Sequence, residues 1–274
     1  MNSRPFVSVV TPTYNRREFL PILIHLYQAQ TYPTELRELV IIDDSTTSNE
    51  DLIPKNDKSI RYIYLPEKIT LGEKRNRLNN EANGDIIICF DDDDYHYPDR
   101  ISHSVFRLNQ EKANIGGCTI MDVYYTDTKQ IFRYGPFGSR HGSNGTFAYR
   151  KRYIENHAHD VTRNAQEEPS FTNNFTEHMA QFDPQKIILC ISHNYNTYDK
   201  RILLRQEKLE QKMKIKKLIK DKEYLDFLEK TTEKHRNEML EKEKEKQIEL
   251  NKQIELNKQM EQIKVTKVTD NNNN

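Results

Sequence analysis

No stretch of this chain approaches the ~18–20 consecutive apolar residues of a membrane-spanning helix, and its mean hydropathy is −0.92. The first 13 residues carry Arg4 and Pro5 and then strand-like residues. They lack the apolar core and small-residue cleavage site of a secretion signal. Net charge is missing too: 42 Lys and Arg balance 42 Asp and Glu. Composition therefore gives no argument for a nucleic-acid partner or an anionic membrane. Cysteine is scarce. Cys89, Cys118 and Cys190 are far apart, and no CxxC pair suggests zinc. An odd set of thiols, two of them in apolar runs, reads as buried and reduced. The expected location is cytoplasmic, with a membrane-peripheral placement left open. The sequons at Asn144 and Asn174 then carry no weight.

What the chain does have is a run of four aspartates, Asp91 to Asp94, directly after Ile86-Ile87-Ile88-Cys89-Phe90. The apolar run reads as a strand buried on both faces, so the aspartates sit where that strand leaves its sheet. Two like charges about 4 Å apart repel by roughly 1 kcal/mol in water and nearer 4 at an effective dielectric of 20. A divalent cation held by oxygen ligands would relieve this. A solvated acidic turn is the bland alternative.

The first half alternates strands and helices. Phe6 to Val10, Leu39 to Ile42, Ile60 to Leu65 and Asp85 to Phe90 are strand candidates. A helix carries Leu20, Leu23, Ile24 and Tyr27 on one face. Asn15 and Glu18 have capping-box spacing, whereas Pro21 argues for a later start. Gly72 to Asn83 is a second helix, with Gly84 expected as its C-terminal cap. Such alternation implies an α/β fold with a mainly parallel sheet. Ligands bind these sheets outside the carboxyl ends of the strands. The polar segments Thr11–Asn15, Asp43–Thr46 and Asp91–Asp94 occupy those ends.

Further on, Cys118 to Tyr125 and Gln130 to Tyr134 read as a hairpin, and Gly135 to Gly145 as a flexible loop. Phe147 to Arg150 is a short strand, Gln166 to His178 a helix, and Lys186 to Ser192 a strand. The composition changes near residue 200, beyond which there is neither Gly nor Pro. We expect one domain over residues 1–199 and a charged helical tail over 200–274. The hexamer KQIELN repeats at 246–251 and 252–257. A six-residue period rotates around a helix of 3.6 residues per turn, so a solvated helix is favoured over a coiled coil. Tail-mediated association with a partner or a second copy stays open. Asn271 to Asn274 reads as disordered.

These segments together resemble the family-2 glycosyltransferases of GT-A fold. The matching residues are Val7-Ser8-Val9-Val10-Thr11-Pro12-Thr13-Tyr14-Asn15-Arg16 and Ile41-Ile42-Asp43-Asp44-Ser45. They continue with Gly72-Glu73-Lys74-Arg75-Asn76, Gly84-Asp85, and Asp91 to Asp94 followed by Pro98-Asp99-Arg100. The fit covers roughly the first 100 residues, loosens from 140 to 195 and is absent beyond 200.

The resemblance implies a nucleotide-sugar donor, expected to be a UDP-sugar, and a glycan, lipid or protein acceptor. Pro12, Thr13 and Tyr14 would hold the nucleotide base, with Asp44 accepting a hydrogen bond from it and Asp43 bracing the turn. Arg75, and more weakly Lys74, would approach the base or phosphates; a solvated helix face is the alternative for both. Asp91 to Asp93 form the Asp-x-Asp motif of a Mn2+ or Mg2+ site. Asp93 is the expected direct ligand, Asp91 or Asp92 the contact to ribose or metal-bound water, and Asp91 and His193 further ligand candidates. Asp94 would orient the loop, Asp99 and Arg100 would open the next helix, and His96 would be a loop residue.

An inverting transfer also needs a base. The family supplies it from a Glu-Asp pair opening a helix, where this chain has Glu167-Glu168 ahead of Pro169. Alignment favours Glu168, with Glu167 second; two solvated first-turn glutamates are the alternative. A nucleotidylyltransferase would open with a Gly-rich loop, but Thr11 to Asn15 contains no glycine. A catalytically inactive sugar-nucleotide binder with a partner-binding tail remains the competing reading.

Overall fold

The computed structural model describes residues 4–271. The chain divides into two units, Met1–Tyr224 and Leu225–Asn274. In chain order the elements are β1 (Val7–Thr13), α1 (Leu20–Gln28), β2 (Arg37–Asp43), β3 (Ile60–Tyr64), α2 (Leu71–Glu81), β4 (Ile86–Cys89) and β5 (Tyr95–His96). There follow α3 (Arg100–Gln110), β6 (Ile115–Gly117), β7 (Met121–Tyr125), β8 (Gln130–Tyr134), β9 (Ala148–Arg150) and α4 (Glu168–Phe171). The last are β10 (Met179–Gln181), α5 (Pro184–Ile187), β11 (Ile188–Ser192), β12 (Leu209–Glu210), α6 (Ile215–Leu218) and α7 (Lys222–Asn271).

The main sheet has the order β10-β6-β9-β4-β1-β2-β3. Strands β3, β2, β1 and β4 are parallel, and β9 enters antiparallel to both β4 and β6. Alternate residues of the central strands serve two cores. Val7, Val9, Ile86 and Ile88 pack with Leu20, Leu23 and Ile24 of α1 and Ile101 and Leu108 of α3. Val10, Val40, Ile42, Ile87 and Cys89 pack with Leu78 of α2 and with Phe147, Tyr149 and Phe171. After β1 the chain builds β2 and β3 on one side, then returns to place β4 on the other. Such a reversal of strand order is where sheets of this kind bind ligands. A second sheet, β12-β8-β7-β11-β5, flanks it, with the expected hairpin formed by β7 and β8.

Several expectations change. Strand β1 runs through Thr13 opposite Asp43, so Pro12 and Thr13 are strand residues rather than a loop. Strand β4 pairs with β1 only as far as Val10, so Pro12 lies where β1 has already lost that neighbour. Helix α1 has no side-chain cap and starts late, with Pro21 in its first turn. Asn15 is left-handed, at φ 51°, and its Oδ1 instead accepts the Thr46 N–H.

Residues 166–178 do not form one helix. Gln166, Asn173, Asn174 and Phe175 all have positive φ, which breaks the right-handed pattern. The compact unit also runs past residue 199. Strand β12 pairs with β8, and Tyr224 is buried edge-on to Tyr95. In the second unit Ile248 and Ile254 of the repeat are exposed. Residues 272–274, expected to be disordered, lie outside the described residues.

Gly84 is not a left-handed cap; α2 ends on Ala82. Its N–H donates to Ser8 Oγ at 2.7 Å, and an added Cβ would lie 2.8 Å from the Val7 carbonyl carbon and closer still to Ser8 N. Backbone cannot yield there as a flexible side chain can. Gly84→Ala is expected to cost about 1–3 kcal/mol, read as a lower urea midpoint at unchanged slope.

Candidate active site

The ends of β1, β2 and β4 bring Thr13, Asp43 and the aspartate run together, as the topology predicts. Arg100, at the start of α3, fixes the run from below. It is fully buried, lies over the Phe90 ring at 4.5 Å, and donates to the Cys89 and Gly145 carbonyls and to His96 Nδ1. Burial pushes its guanidinium down to about 10. His96 is buried too, stacked on Phe90, with Nε2 against the Asp91 carbonyl at 2.8 Å. It serves this scaffold, not a metal.

The acidic run carries its own counter-ions. Arg75 Nη2 meets Asp91 at 3.2 Å, Arg16 Nη1 meets Asp93 at 2.6 Å and Asp92 at 3.4 Å, and Lys200 Nζ meets Asp94 at 3.0 Å. These side chains offset repulsion that the sequence alone left to a divalent cation. Asp92 also accepts from Thr13 Oγ1 at 2.6 Å, and Asp94 from the Ile191 N–H at 2.7 Å. Burial pushes the Asp92 and Asp94 carboxyls up to about 6. Burial acts the same way on Asp93, but Arg16, Lys200 and His193 outweigh it and hold that carboxyl well below the usual range.

Asp93 Oδ2 lies 3.3 Å from His193 Nε2 and accepts from Asn196 Nδ2 at 3.0 Å. Burial lowers the His193 pKa, which favours the neutral ring, and its Nδ1 faces the Tyr195 N–H at 3.2 Å. Asp91 faces Arg75 instead, and among the described residues no three His, Cys, Asp or Glu side chains converge as a metal site. The donor set is thus one carboxylate and one imidazole. The carboxylate is the kind of oxygen donor that Mn2+ or Mg2+ takes, whereas the imidazole is a softer ligand than these ions prefer; a cation held here would need further oxygen ligands.

Past the end of β1, Lys68 Nζ sits 3.9 Å over the Tyr14 ring. Asp44 is buried, with Lys74 Nζ on one oxygen and the Ile69 N–H on the other at 2.9 Å. Lys74 also donates to the Thr13 carbonyl at 2.9 Å. Asp43 braces the turn as expected, accepting from Ser45, Asn49 and Tyr62. Lys74 and Arg75 are 4% and 6% exposed, so neither belongs to a solvated helix face.

Arg75 joins the two acidic centres. Its Nε donates to Glu167 Oε1 at 2.6 Å, which also accepts from Asn144 Nδ2 at 3.3 Å. Glu168 is less buried, and its carboxylate accepts the Asn144 N–H at 3.2 Å. Burial, then the neighbouring Glu167, raises the Glu168 pKa. Arg75 Nη1, Asn144 Oδ1 and both ring nitrogens of His159 are buried without partners. Such groups are normally paired, so polar ligand groups would be matched here. Burial and then Arg75 push His159 down to about 3.

With this geometry in place, comparison with known proteins is decisive for the family. The sequence pattern of glycosyl transferase family 2 matches residues 8–166, more than half of the chain. The chain belongs to glycosyl transferase family 2. A Bacillus subtilis glycosyltransferase named for teichuronic acid biosynthesis is 33% identical over 104 residues, covering 36% of this chain and 40% of that protein. The GalNAc(5)-diNAcBac-PP-undecaprenol beta-1,3-glucosyltransferase of Campylobacter jejuni is 28% identical over 123 residues, covering 42% and 39%. The chain thus spans about two fifths of the length of these curated relatives.

Among solved structures, a Pyrobaculum calidifontis mannosyltransferase in complex with GDP-Man and Mn2+ matches with TM-score 0.57 and 16% identity, over 71% of this chain and 59% of that one. TarS residues 1–349 of S. aureus in complex with UDP-GlcNAc matches with TM-score 0.57 and 17% identity, over 69% and 59%. At such identities these likenesses speak for the fold, which is the GT-A fold expected from the sequence. No described helix is long and apolar enough to cross a membrane.

Sequence reasoning missed several members of this family-2 site. Arg16 stands in the matched motif without a role, Lys200 falls in the supposed tail, and Asn144 and Asn196 carry no motif that points to this site. Only Arg16 had a usable signal, a basic residue beside the loop facing four acids.

Proposed function

We propose that this chain is a metal-dependent, inverting glycosyltransferase that moves a sugar from a nucleotide-sugar donor, a UDP-sugar, to a hydroxyl of a glycan, lipid or protein acceptor. The carrying observation is the Arg75 guanidinium, held by Asp91 on one side and Glu167 on the other. It puts the aspartate run and the glutamate pair in one site, as a displacement with a leaving diphosphate and an attacking hydroxyl requires.

In this reading Glu168 is the base. Glu167 is committed to Arg75 and Asn144, whereas Glu168 is raised by burial towards the working pH range. It takes the acceptor proton as the hydroxyl attacks the anomeric carbon from the face opposite the leaving group. Asp93 and His193 would hold Mn2+ or Mg2+. When bound, such a metal supplies Lewis-acid stabilisation of charge on the leaving diphosphate. Asp91 or Asp92 would contact the ribose or metal-bound water. Tyr14, Thr13 and the Asp44–Lys74 pair would form the base end.

Ligand binding raises the melting temperature by mass action. UDP with Mn2+ is expected to raise it more than UDP or Mn2+ alone, and more than GDP or CDP with Mn2+. Asp93→Asn should remove the metal-dependent part of the shift. An equal shift in that variant would exclude Asp93 as the metal ligand.

A further inference from the structure

The aspartate run is neutralised by three side chains that differ in how firmly they are tied. Arg75 lies between Asp91 and the buried Glu167. Lys200 donates to Asp94 and to the Ile191 carbonyl, while Asp94 accepts the Ile191 N–H, so this pair is bound into β11. Arg16 is different. It stands on the connection between β1 and α1, with its side chain 11% exposed, its Nη1 shared between Asp92 and Asp93, and its Nη2 on the carbonyl of Tyr195, a residue 37% exposed. Its Nη1 occupies Asp93 Oδ2, the oxygen that faces His193. Its guanidinium also lies 5.4 Å from the Phe19 ring centroid, and Phe19 stacks on His193 at 5.3 Å.

A guanidinium on Asp93 Oδ2 disfavours a divalent cation at that same oxygen, because like charges repel there. We propose that Arg16 is an exchangeable counter-ion, which holds the Asp93–His193 pair in the ligand-free chain and yields it to a divalent cation when a nucleoside diphosphate offers its own charge. This rests on the reading of Asp93 as the metal ligand given above. The planar fork of arginine suits two phosphate oxygens at once, so nucleotide offers a released Arg16 a replacement for Asp93. Metal and nucleotide then bind cooperatively, and by linkage each raises the affinity for the other by the same factor.

The test is titration of the purified full chain with Mn2+, free ion being read by its electron paramagnetic resonance signal, with and without UDP. Arg16→Gln is expected to bind Mn2+ alone about tenfold more tightly than wild type, within the usual range of such couplings. The enhancement of Mn2+ affinity by UDP should shrink in the same variant. Arg16→Lys keeps the charge but loses the two-pronged reach, and should fall between the two. If Arg16→Gln does not fold, Arg16→Lys decides alone: tighter Mn2+ binding than wild type supports the exchange, and equal or weaker binding overturns it.

Equal Mn2+ affinity in wild type and Arg16→Gln, with binding lost in Asp93→Asn, overturns the Arg16 assignment and leaves the metal reading standing. Unchanged Mn2+ binding in the double variant Arg16→Gln/Asp93→Asn instead removes Asp93 as ligand, and the proposed exchange with it.

Discussion

Replacing Glu168 with Gln is expected to lower kcat by about 100- to 10,000-fold, the range for loss of a positioned general base. Donor affinity should change little, because Glu168 lies outside the Asp44–Lys74 and Asp93–His193 contacts. The pH profile gives a second sign. The base works only when ionised, and burial raises its pKa. Wild-type kcat/KM should therefore fall with decreasing pH through a midpoint above the ordinary glutamate value of about 4.3. The residual rate of Glu168→Gln should lack that limb.

Stability should move the other way. A raised folded-state pKa means the fold favours the protonated form, so this group's stabilising contribution is present below its unfolded pKa and lost as pH rises through the folded one. At neutral pH the ionised carboxylate is a cost that Gln removes. Glu168→Gln should thus melt no lower than wild type while turning over far more slowly. Full turnover of Glu168→Gln on a UDP-sugar would sink the assignment. A wild-type chain that binds UDP with Mn2+ but neither transfers nor hydrolyses the sugar would favour the inactive binder.

The parallel half of the fold was legible because its strands are apolar on both faces and end abruptly in polar residues, as Ile86 to Phe90 before Asp91 shows. The same alternation placed Thr13, Asp43 and Asp91 at one edge before any contact was seen. What stayed hidden depends on partners remote in sequence. Gly84 reads equally well as a cap or a close-packed glycine, and only Ser8 decides. Strand β12 is two exposed residues with no pattern of its own, so nothing announced that the chain folds back beyond residue 199. That hid Lys200 from the site. Asn173-Asn174 did carry a signal against a long helix, since Asn accepts the left-handed region more readily than most residues.

Loss of Arg75 should cost the fold heavily. Arg75→Met keeps much of the length and apolar stem but strips the charge from a group only 6% exposed. Glu167, 3% exposed, then keeps Asn144 as a neutral hydrogen-bond donor and no cation. Leaving one member of a buried ion pair uncompensated costs about 3–5 kcal/mol, a large share of the roughly 5–15 kcal/mol that holds a domain folded. Asp91 contributes less, because its side chain is 29% exposed and water can replace the guanidinium. The double variant Arg75→Met/Glu167→Gln separates the causes. If the penalty is the stranded carboxylate, urea denaturation should show the double variant recovering most of the stability lost by Arg75→Met. If the double variant is as unstable as the single one, the guanidinium contributes by packing and by its bond to Asp91. Neither variant should recover turnover, since both cut the link between the aspartate run and the turn that carries Glu168.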